Sequence, residues 1–208
     1  MKIKHFSVGQ FLTRCYIISE NGSALIIDPG GDGEKLYQYL VDNQLNLKMI
    51  INTHAHFDHI GANEFLKKKT GAELYIHQNE ADKLISADKN LSKFFISKGI
   101  TSPSADRFLE DGDSINFESL EFEVIHTPGH SSGGIALYLA QEDIIFVGDT
   151  IFSNGIGRTD IDDSDFEVLK ETIENRILSL PDQTEFCPGH GARGYIKDFK
   201  ENVWPKML

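Results

Sequence analysis

Short polar segments that follow apolar runs are the feature that most limits how this chain can fold. Residues 48–51 read KMII, and the next ten residues, NTHAHFDHIG, place three histidines and one aspartate within six positions. Burying such polar groups is costly unless they are paired or bind a metal ion. The pattern therefore indicates a fold that collects polar side chains at the ends of its strands.

Three further segments repeat this arrangement later in the chain. His130 in TPGH, Asp149 in VGD and His190 in PGH each follow a glycine directly, and each lies shortly after an apolar run. Glycine lets the backbone turn tightly beside a site. These three residues are candidate metal ligands.

The spacing of the candidates indicates two metal ions. His54 and His56 are two positions apart, so on an extended segment they point the same way and can bind one ion. Asp58 and His59 follow the bend and would reach a second ion. The expected ligands are His54, His56 and His130 for one ion, Asp58, His59 and His190 for the other, and Asp149 between the two.

Length and composition narrow the class of protein. The chain has 208 residues, 40% of them hydrophobic, which predicts a single domain over residues 1–208. The net charge of −12 disfavours a nucleic-acid partner. No signal peptide and no run of 18 apolar residues is visible, so the protein is expected to be cytoplasmic and not membrane-bound. Two widely separated cysteines fit reduced thiols.

Apolar periodicity predicts strands and helices in alternation. Strands are expected in the runs KIKHFSV, RCYIIS, ALII, LKMII, ELYIH, SINF, LEFEVIH, GGIALYLA, DIIFVG and EFCPG. Helices are expected over residues 34–43, 60–69, 82–99 and 165–179. This order favours two facing sheets covered by helices.

The motifs THAHFDH, TPGH, GDT and PGHG, in this order, resemble the metallo-β-lactamase superfamily. That resemblance implies an α/β fold, a four-layer αββα sandwich, and it implies the same seven metal ligands. The stretches CYIIS, ALIIDPGG and FSNGIGRTD are similar to the glyoxalase II branch, the hydroxyacylglutathione hydrolases. With 18 residues after His190, the chain resembles the short bacterial form most.

The resemblance and the chemistry of such sites imply a metal-dependent hydrolase. Two divalent ions roughly 3.5 to 4 Å apart lower the pKa of a bridging water toward about 7, which supplies hydroxide to attack a thioester such as S-lactoylglutathione. Asp58 is the expected catalytic residue, because it can orient this hydroxide or accept its proton. Zinc is the expected metal, and iron and manganese are alternatives.

Other reactions use the same family of sites. A mononuclear iron oxidoreductase that resembles the persulfide dioxygenases would bind iron through His54, His130 and Asp149. A phosphodiesterase that acts on RNA, a lactonase and a β-lactamase are further alternatives. The acidic composition disfavours the phosphodiesterase.

Substrate contacts are expected from two segments and from one residue near the last ligand. The first segment, residues 80–113, contains Phe94, Phe95 and Phe108, for which packing in the core is an equal alternative. The second is the GIGRTD loop after Asp149. Arg158 can bind a substrate carboxylate or pair with Asp160, and the pair is favoured. Arg193, three residues after His190, is a weaker candidate for the same role.

Four other polar residues are expected to have structural roles. His5 and His77 lie within strand patterns, and His126 is expected to orient a ligand or to pack. Cys187 is expected to be a small buried side chain.

Overall fold

The computed structural model describes residues 1–207. It divides into two compact units, Met1–Leu109 and Glu110–Leu208. Each unit contains one six-stranded sheet. The expectation of a single domain over residues 1–208 stays a prediction.

The first unit is built on a mixed sheet. Its strands are β1 Lys2–Val8, β2 Thr13–Glu20, β3 Ser23–Ile27, β4 Asn46–Ile51, β5 Glu73–His77 and β6 Arg107–Leu109, and they lie in this order. Strands β1 to β3 pair antiparallel, and β3 to β6 pair parallel. All five residues of β3 are buried, as expected for a strand covered on both faces.

Five helices accompany this sheet: α1 Gly33–Asp42, α2 Phe57–Ile60, α3 Asn63–Thr70, α4 Ala81–Ile85 and α5 Ser92–Phe95. Leu36 and Leu40, one helical turn apart on α1, are buried in the core of the unit. The helix expected over residues 60–69 is largely α3, which begins three residues later, while Ile60 ends α2. The break occurs where the Ala62 N–H donates to the carbonyl of Pro29, outside the helix.

The helix expected over residues 82–99 was wrong. Only α4 and α5 are helical there, because polar side chains satisfy the backbone in a different conformation. Asn90 Oδ1 accepts the Ser92 N–H, and Ser92 Oγ accepts the Ile100 N–H. Leu91 adopts a φ of 69°, which ends any regular helix at that residue.

The second unit is built on a largely antiparallel sheet. Its main strands are β7 Ser114–Phe117, β8 Leu120–His126, β9 Ile135–Leu139, β10 Ile144–Gly148, β13 Glu185–Pro188 and β14 Gly194–Tyr195; β11 Ile151–Phe152 and β12 Gly155–Ile156 form a separate small hairpin. The sheet order is β14-β13-β10-β9-β8-β7, and only the pair β10 and β13 is parallel among the described residues.

The helices of the second unit follow the predicted pattern in part. Helix α6, Phe166–Thr172, is capped by Asp165, whose carboxylate accepts the Val168 N–H, and it continues as a wider π-type turn over Ile173–Ile177. The helix expected over 165–179 is thereby confirmed. The sequence did not predict α7, Ile196–Asp198, or the helical turns that extend it to Lys206.

Strand direction explains where the polar segments of the first unit lie. Because β3, β4 and β5 are parallel, their carboxyl ends meet at the same edge of the sheet. Asp28 follows β3, the segment 52–59 follows β4, and Glu80 follows β5. This edge therefore gathers side chains that are far apart in sequence.

The second unit uses the same principle with a different topology. Strands β8 and β10 are both antiparallel to β9, so they run in one direction, and β13 is parallel to β10. His130, Asp149 and His190 follow these three strands.

Across residues 1–207, no helix combines the length and the apolar character needed to cross a bilayer.

Candidate metal-binding residues

The segment after β4 brings three buried histidines together within the first unit. The imidazole centroid of His54 lies 4.6 Å from that of His56 and 4.1 Å from that of His59. All three side chains are buried. The closeness of His54 and His56 fits their predicted role as ligands of one ion, and His59, assigned to the other ion, lies beside them.

A chain of polar contacts selects the tautomer of His54. The backbone N–H and the hydroxyl of Thr53 both donate to the buried carboxylate of Asp28, at 2.8 and 2.6 Å. Thr53 Oγ1 lies 3.1 Å from His54 Nδ1, so the oxygen accepts the Nδ1 proton. Nε2 of His54 then carries the lone pair that a metal ion would take.

Asp58 and His59 are held in a comparable way. Asp28 Oδ2 lies 3.0 Å from His59 Nδ1, and Asp58 Oδ2 accepts the Thr13 hydroxyl at 3.0 Å. His59 Nε2 and Asp58 Oδ2 are 3.8 Å apart, which is too long for a hydrogen bond. Two donors on one tetrahedral zinc ion lie about 3.4 Å apart when each bond is about 2.1 Å. The separation fits two ligands of one ion.

The second unit places its two candidate histidines, His130 and His190, around the carboxylate of Asp149. Asp149 Oδ2 lies 3.8 Å from His130 Nε2 and 3.6 Å from His190 Nε2. His130 Nδ1 is 2.9 Å from the carbonyl oxygen of Arg158, so Nδ1 carries the proton and Nε2 the lone pair. Asp149 is therefore placed to share a metal ion with either histidine.

Glycine is required at two positions near these ligands. Gly129, just before His130, has a φ of 125°, and a Cβ there would lie 2.3 Å from the backbone of Leu169. A Cβ on Gly157 would lie 2.0 Å from the carbonyl oxygen of Asp149. The backbone therefore approaches too closely for any side chain at either position.

The donor set of each unit fits a divalent metal ion. Imidazole nitrogens and carboxylate oxygens suit zinc, iron and manganese, and the buried rings are oriented by acceptors on their opposite nitrogens. Burial raises the pKa of the Cys187 thiol to about 12 and that of Cys15 well above its usual range, so both thiols stay protonated. Imidazole and carboxylate groups remain as the donors.

The aromatic candidates are exposed, so core packing was the wrong alternative for them. Phe94 is 78% exposed and Phe95 is 57% exposed. The Phe95 ring lies 5.3 Å from Phe11 and 5.4 Å from Phe57, and Phe11 lies 5.1 Å from Phe57. We call Phe11, Phe57 and Phe95 the aromatic cluster. Phe57 stands between two predicted ligands in the sequence.

The two arginine candidates are both engaged in ion pairs. Arg158 donates two hydrogen bonds to Asp160, at 2.7 and 2.9 Å, as the favoured alternative predicted. These bonds lower the pKa of Asp160 and raise the pKa of Arg158. Arg193 Nη1 lies 3.5 Å from Glu185 Oε2. Recognition of a substrate carboxylate by either arginine stays a prediction.

His77 and Cys187 have the expected structural roles, with Cys187 fully buried, whereas His5 is exposed on β1. His77 Nδ1 accepts the Asn79 N–H, and His126 Nε2 lies 3.0 Å from the carbonyl of Ser132. Sequence reasoning missed Asp28 and Glu80 as supports of the ligand segment. The available signal was an acidic residue shortly after an apolar strand.

Comparison with known proteins identifies the family. The family model described as the metallo-beta-lactamase superfamily matches residues 8–190. A probable metallo-hydrolase of Bacillus subtilis, YqgX, is 37% identical, and the match covers 92% of this chain and 90% of that protein. The hydroxyacylglutathione hydrolase GloC of Haemophilus influenzae is 35% identical, with 92% of each chain covered. The chain belongs to the metallo-β-lactamase superfamily.

Solved structures confirm the expected fold. The crystal structure of the BLEG-1 B3 metallo-beta-lactamase matches with a TM-score of 0.93, at 35% identity and over 97% of both chains. The structure of TTHA1623 in a di-iron-bound form matches with a TM-score of 0.86, at 29% identity, over 96% of this chain and 98% of that chain. The predicted metallo-β-lactamase fold and a metallo-hydrolase class are thus supported.

Proposed function

We propose that this protein is a metal-dependent thioester hydrolase of the glyoxalase II type, with S-lactoylglutathione as the first substrate to test. The observation that carries the proposal is the set of buried histidines whose second ring nitrogens lie within 3.1 Å of Thr53 Oγ1, of Asp28 Oδ2 and of the carbonyl oxygen of Arg158. A relative named as a hydroxyacylglutathione hydrolase supports the choice of substrate. The net charge of −12 supports a small-molecule substrate over nucleic acid, and we propose a cytoplasmic location.

We propose that the chain binds two divalent ions through the seven residues predicted from its sequence. When bound, such ions lower the pKa of a water molecule and polarise a carbonyl group. Zinc is the first choice for an imidazole and carboxylate set, and iron is the alternative, since a similar structure is described as di-iron-bound.

Within this proposal, the chain's own residues supply orientation and proton transfer. The Thr13 hydroxyl donates to Asp58 Oδ2, which fixes the carboxylate that would accept the proton of the attacking water. A thiolate leaves without strong help from a general acid, so the reaction needs no dedicated acid at the leaving group. No covalent intermediate on serine or cysteine is needed.

We propose that the aromatic cluster binds the apolar part of the acyl thiol. Phe57 links the cluster to the ligand segment, and Phe11 precedes Thr13, whose hydroxyl donates to Asp58. Phe11 is 41% exposed, so its ring has a face that a substrate can cover. Burying part of an aromatic ring stabilises a complex by about 1 kcal/mol or more.

The double variant Phe11→Ala with Phe95→Ala tests this role. We expect KM for a thioester with a phenyl-bearing acyl group to rise about tenfold, with kcat changed less than about twofold, because only binding contacts are removed. Phe108→Ala is the matched control, since Phe108 is 53% exposed and lies on β6. Equal effects of the control and the double variant on KM would contradict the proposal.

The function itself is tested by the hydrolysis of S-lactoylglutathione by the metal-loaded protein, with elemental analysis of the same sample. We expect turnover that rises with metal content up to two ions per chain. A loaded protein that leaves the thioester intact would rule out the thioesterase. Oxygen uptake with glutathione persulfide and a single iron would instead identify a dioxygenase.

The similarity to a B3 metallo-beta-lactamase favours a second candidate, β-lactam hydrolysis. The position of Asp149 Oδ2 near both His130 and His190 argues for a shared carboxylate ligand. By family comparison such a ligand favours the thioesterase. The two activities are separated by comparing kcat/KM for a β-lactam and for a thioester on one preparation.

A further inference from the structure

A buried carboxylate holds the peptide group between the first two predicted ligands. The N–H of Ala55, which lies between His54 and His56, donates to Oε2 of Glu80 at 2.9 Å. The Glu80 side chain is 0% exposed. Glu80 is 25 residues further along the chain, so the contact depends on the fold and not on local sequence.

The second oxygen of the same carboxylate is paired. Lys83 Nζ donates to Glu80 Oε1 at 2.7 Å, and Lys83 is itself buried. A buried ion pair is seldom a net source of stability, because two charges leave water and well-packed apolar residues serve the fold equally well. The presence of the pair at this point indicates a purpose beyond packing.

Glu80 also completes a symmetrical arrangement around His54. On the preceding side, the Thr53 N–H donates to the buried carboxylate of Asp28. On the following side, the Ala55 N–H donates to Glu80. Hydrogen bonds from amides to carboxylates are among the stronger ones in proteins, and here they fix the peptide groups on both sides of one ligand.

The topology explains how Glu80 reaches this position. Strand β5 is the parallel neighbour of β4, so residues after β5 lie beside residues after β4. His77 Nδ1 accepts the Asn79 N–H and shapes the turn of Gln78–Glu80 that carries the carboxylate. The loop after one strand thereby supports the ligand loop after the next.

We propose that Glu80, charge-balanced by Lys83, is a positioning residue that forms the loop of His54 and His56 before metal binds. This inference rests on the proposed metal binding, but it concerns the apo protein as well. Without Glu80 the Ala55 N–H loses its hydrogen-bond acceptor. The imidazoles of His54 and His56 are then no longer held, in the apo protein, in the arrangement that binds metal. Removal of an outer partner of this kind lowers metal affinity about 10- to 100-fold.

Three variants test the proposal: Glu80→Ala, Lys83→Met, and the double variant Glu80→Gln with Lys83→Met. The first readout is zinc affinity of the apo protein, measured by competition with a chromophoric chelator. The second is hydrogen exchange of the Ala55 amide in metal-free protein, relative to the amide of Ile50 in β4. We expect Glu80→Ala to weaken zinc binding about 10- to 100-fold and to speed exchange at Ala55 selectively.

The conservative variant separates positioning from charge. Glutamine is paired with Lys83→Met, because its NH2 group would otherwise face the Lys83 ammonium; in this double variant the glutamine oxygen still accepts the Ala55 N–H, so we expect most of the zinc affinity and the slow exchange to be restored. We expect the zinc affinity of the Lys83→Met protein to lie between that of Glu80→Ala and that of the glutamine variant. Leu84→Ala is the matched control, because Leu84 is a fully buried neighbour on α4 that makes no part of this network.

Several results would overturn the proposal. One is a Glu80→Ala protein with wild-type zinc affinity and unchanged exchange at Ala55. Another is a Leu84→Ala protein that loses zinc affinity as strongly, since this would reduce the effect to general destabilisation. If the wild-type protein binds zinc but hydrolyses no thioester, the proposed function fails while these measurements still decide the role of Glu80. If the wild-type protein binds no zinc, hydrogen exchange of the Ala55 amide alone decides whether Glu80 holds the loop of His54 and His56.

Discussion

Replacing His56 with alanine is expected to remove one metal ion per chain and to lower thioester turnover about 1,000-fold. His56 is one of three buried imidazoles grouped in the first unit, and its ring lies 4.6 Å from that of His54. Metal assistance contributes several kcal/mol to such reactions, and about 4 kcal/mol corresponds to 1,000-fold in rate. Elemental analysis and steady-state kinetics of the same preparation measure both effects.

The fold is expected to survive this substitution. The His56 backbone has ordinary extended angles, φ −62° and ψ 143°, and its carbonyl accepts the His59 N–H, which alanine preserves. His5→Ala is the control, since His5 is a histidine of the same unit that lies exposed on β1 and is not a predicted ligand. It should keep its metal and its turnover within about threefold, as expected for a residue outside the site. Full metal content and full turnover in His56→Ala would refute the ligand assignment.

The second large effect is expected for Asp28→Asn. The Asp28 carboxylate accepts the N–H and the hydroxyl of Thr53 and lies 3.0 Å from His59 Nδ1. The asparagine side chain keeps only one acceptor oxygen, and its NH2 group replaces the other. Two hydrogen-bond donors then face each other in the interior, and neither has an acceptor. We expect metal affinity to fall about 10- to 100-fold and the free energy of unfolding to fall by about 1–3 kcal/mol.

Chelator competition and chemical denaturation measure these two quantities. Asp32→Asn is a close control, because Asp28 and Asp32 have nearly the same backbone conformation, with φ of 51° and 52°. Asp32 is exposed, and it accepts one hydrogen bond, from the Gly9 N–H. The control should change stability by less than about 0.5 kcal/mol. Wild-type metal affinity in Asp28→Asn would show that the carboxylate does not orient His59.

Much of the fold was predictable from apolar runs and turn signals. The buried strand β3, the partly buried strand β4 and the capped helix α6 carry clear local patterns. The failures have local causes. Strand β6 has three residues after a segment rich in serine and proline, and β14 has two, so neither shows periodicity. Residues 86–92 have helical apolar spacing, but their serine and asparagine side chains bond to the backbone.

The predictability of the site divides in the same way. The seven predicted ligands stand out because histidine and aspartate are unusual after apolar strands, and their order matches a known family. Supporting residues such as Glu80 and Thr13 look ordinary in the sequence. Their roles depend on partners 25 and 45 residues away, at Ala55 and Asp58, and only the packed sheet creates those contacts.

The attachment of Asn90 to the ligand helix has a consequence for how this enzyme can diversify. The Phe57 N–H donates to the Asn90 carbonyl, while the Asn90 side chain fastens its own loop through Ser92 and Ile100. Phe95 of this loop is exposed and, under the proposed function, would contact the acyl group. Asn90 links that surface to the segment of the predicted metal ligands. Under the proposed function, a variant in which this loop is replaced but Asn90 is kept should therefore change its preference among acyl groups while its metal ligands stay in place.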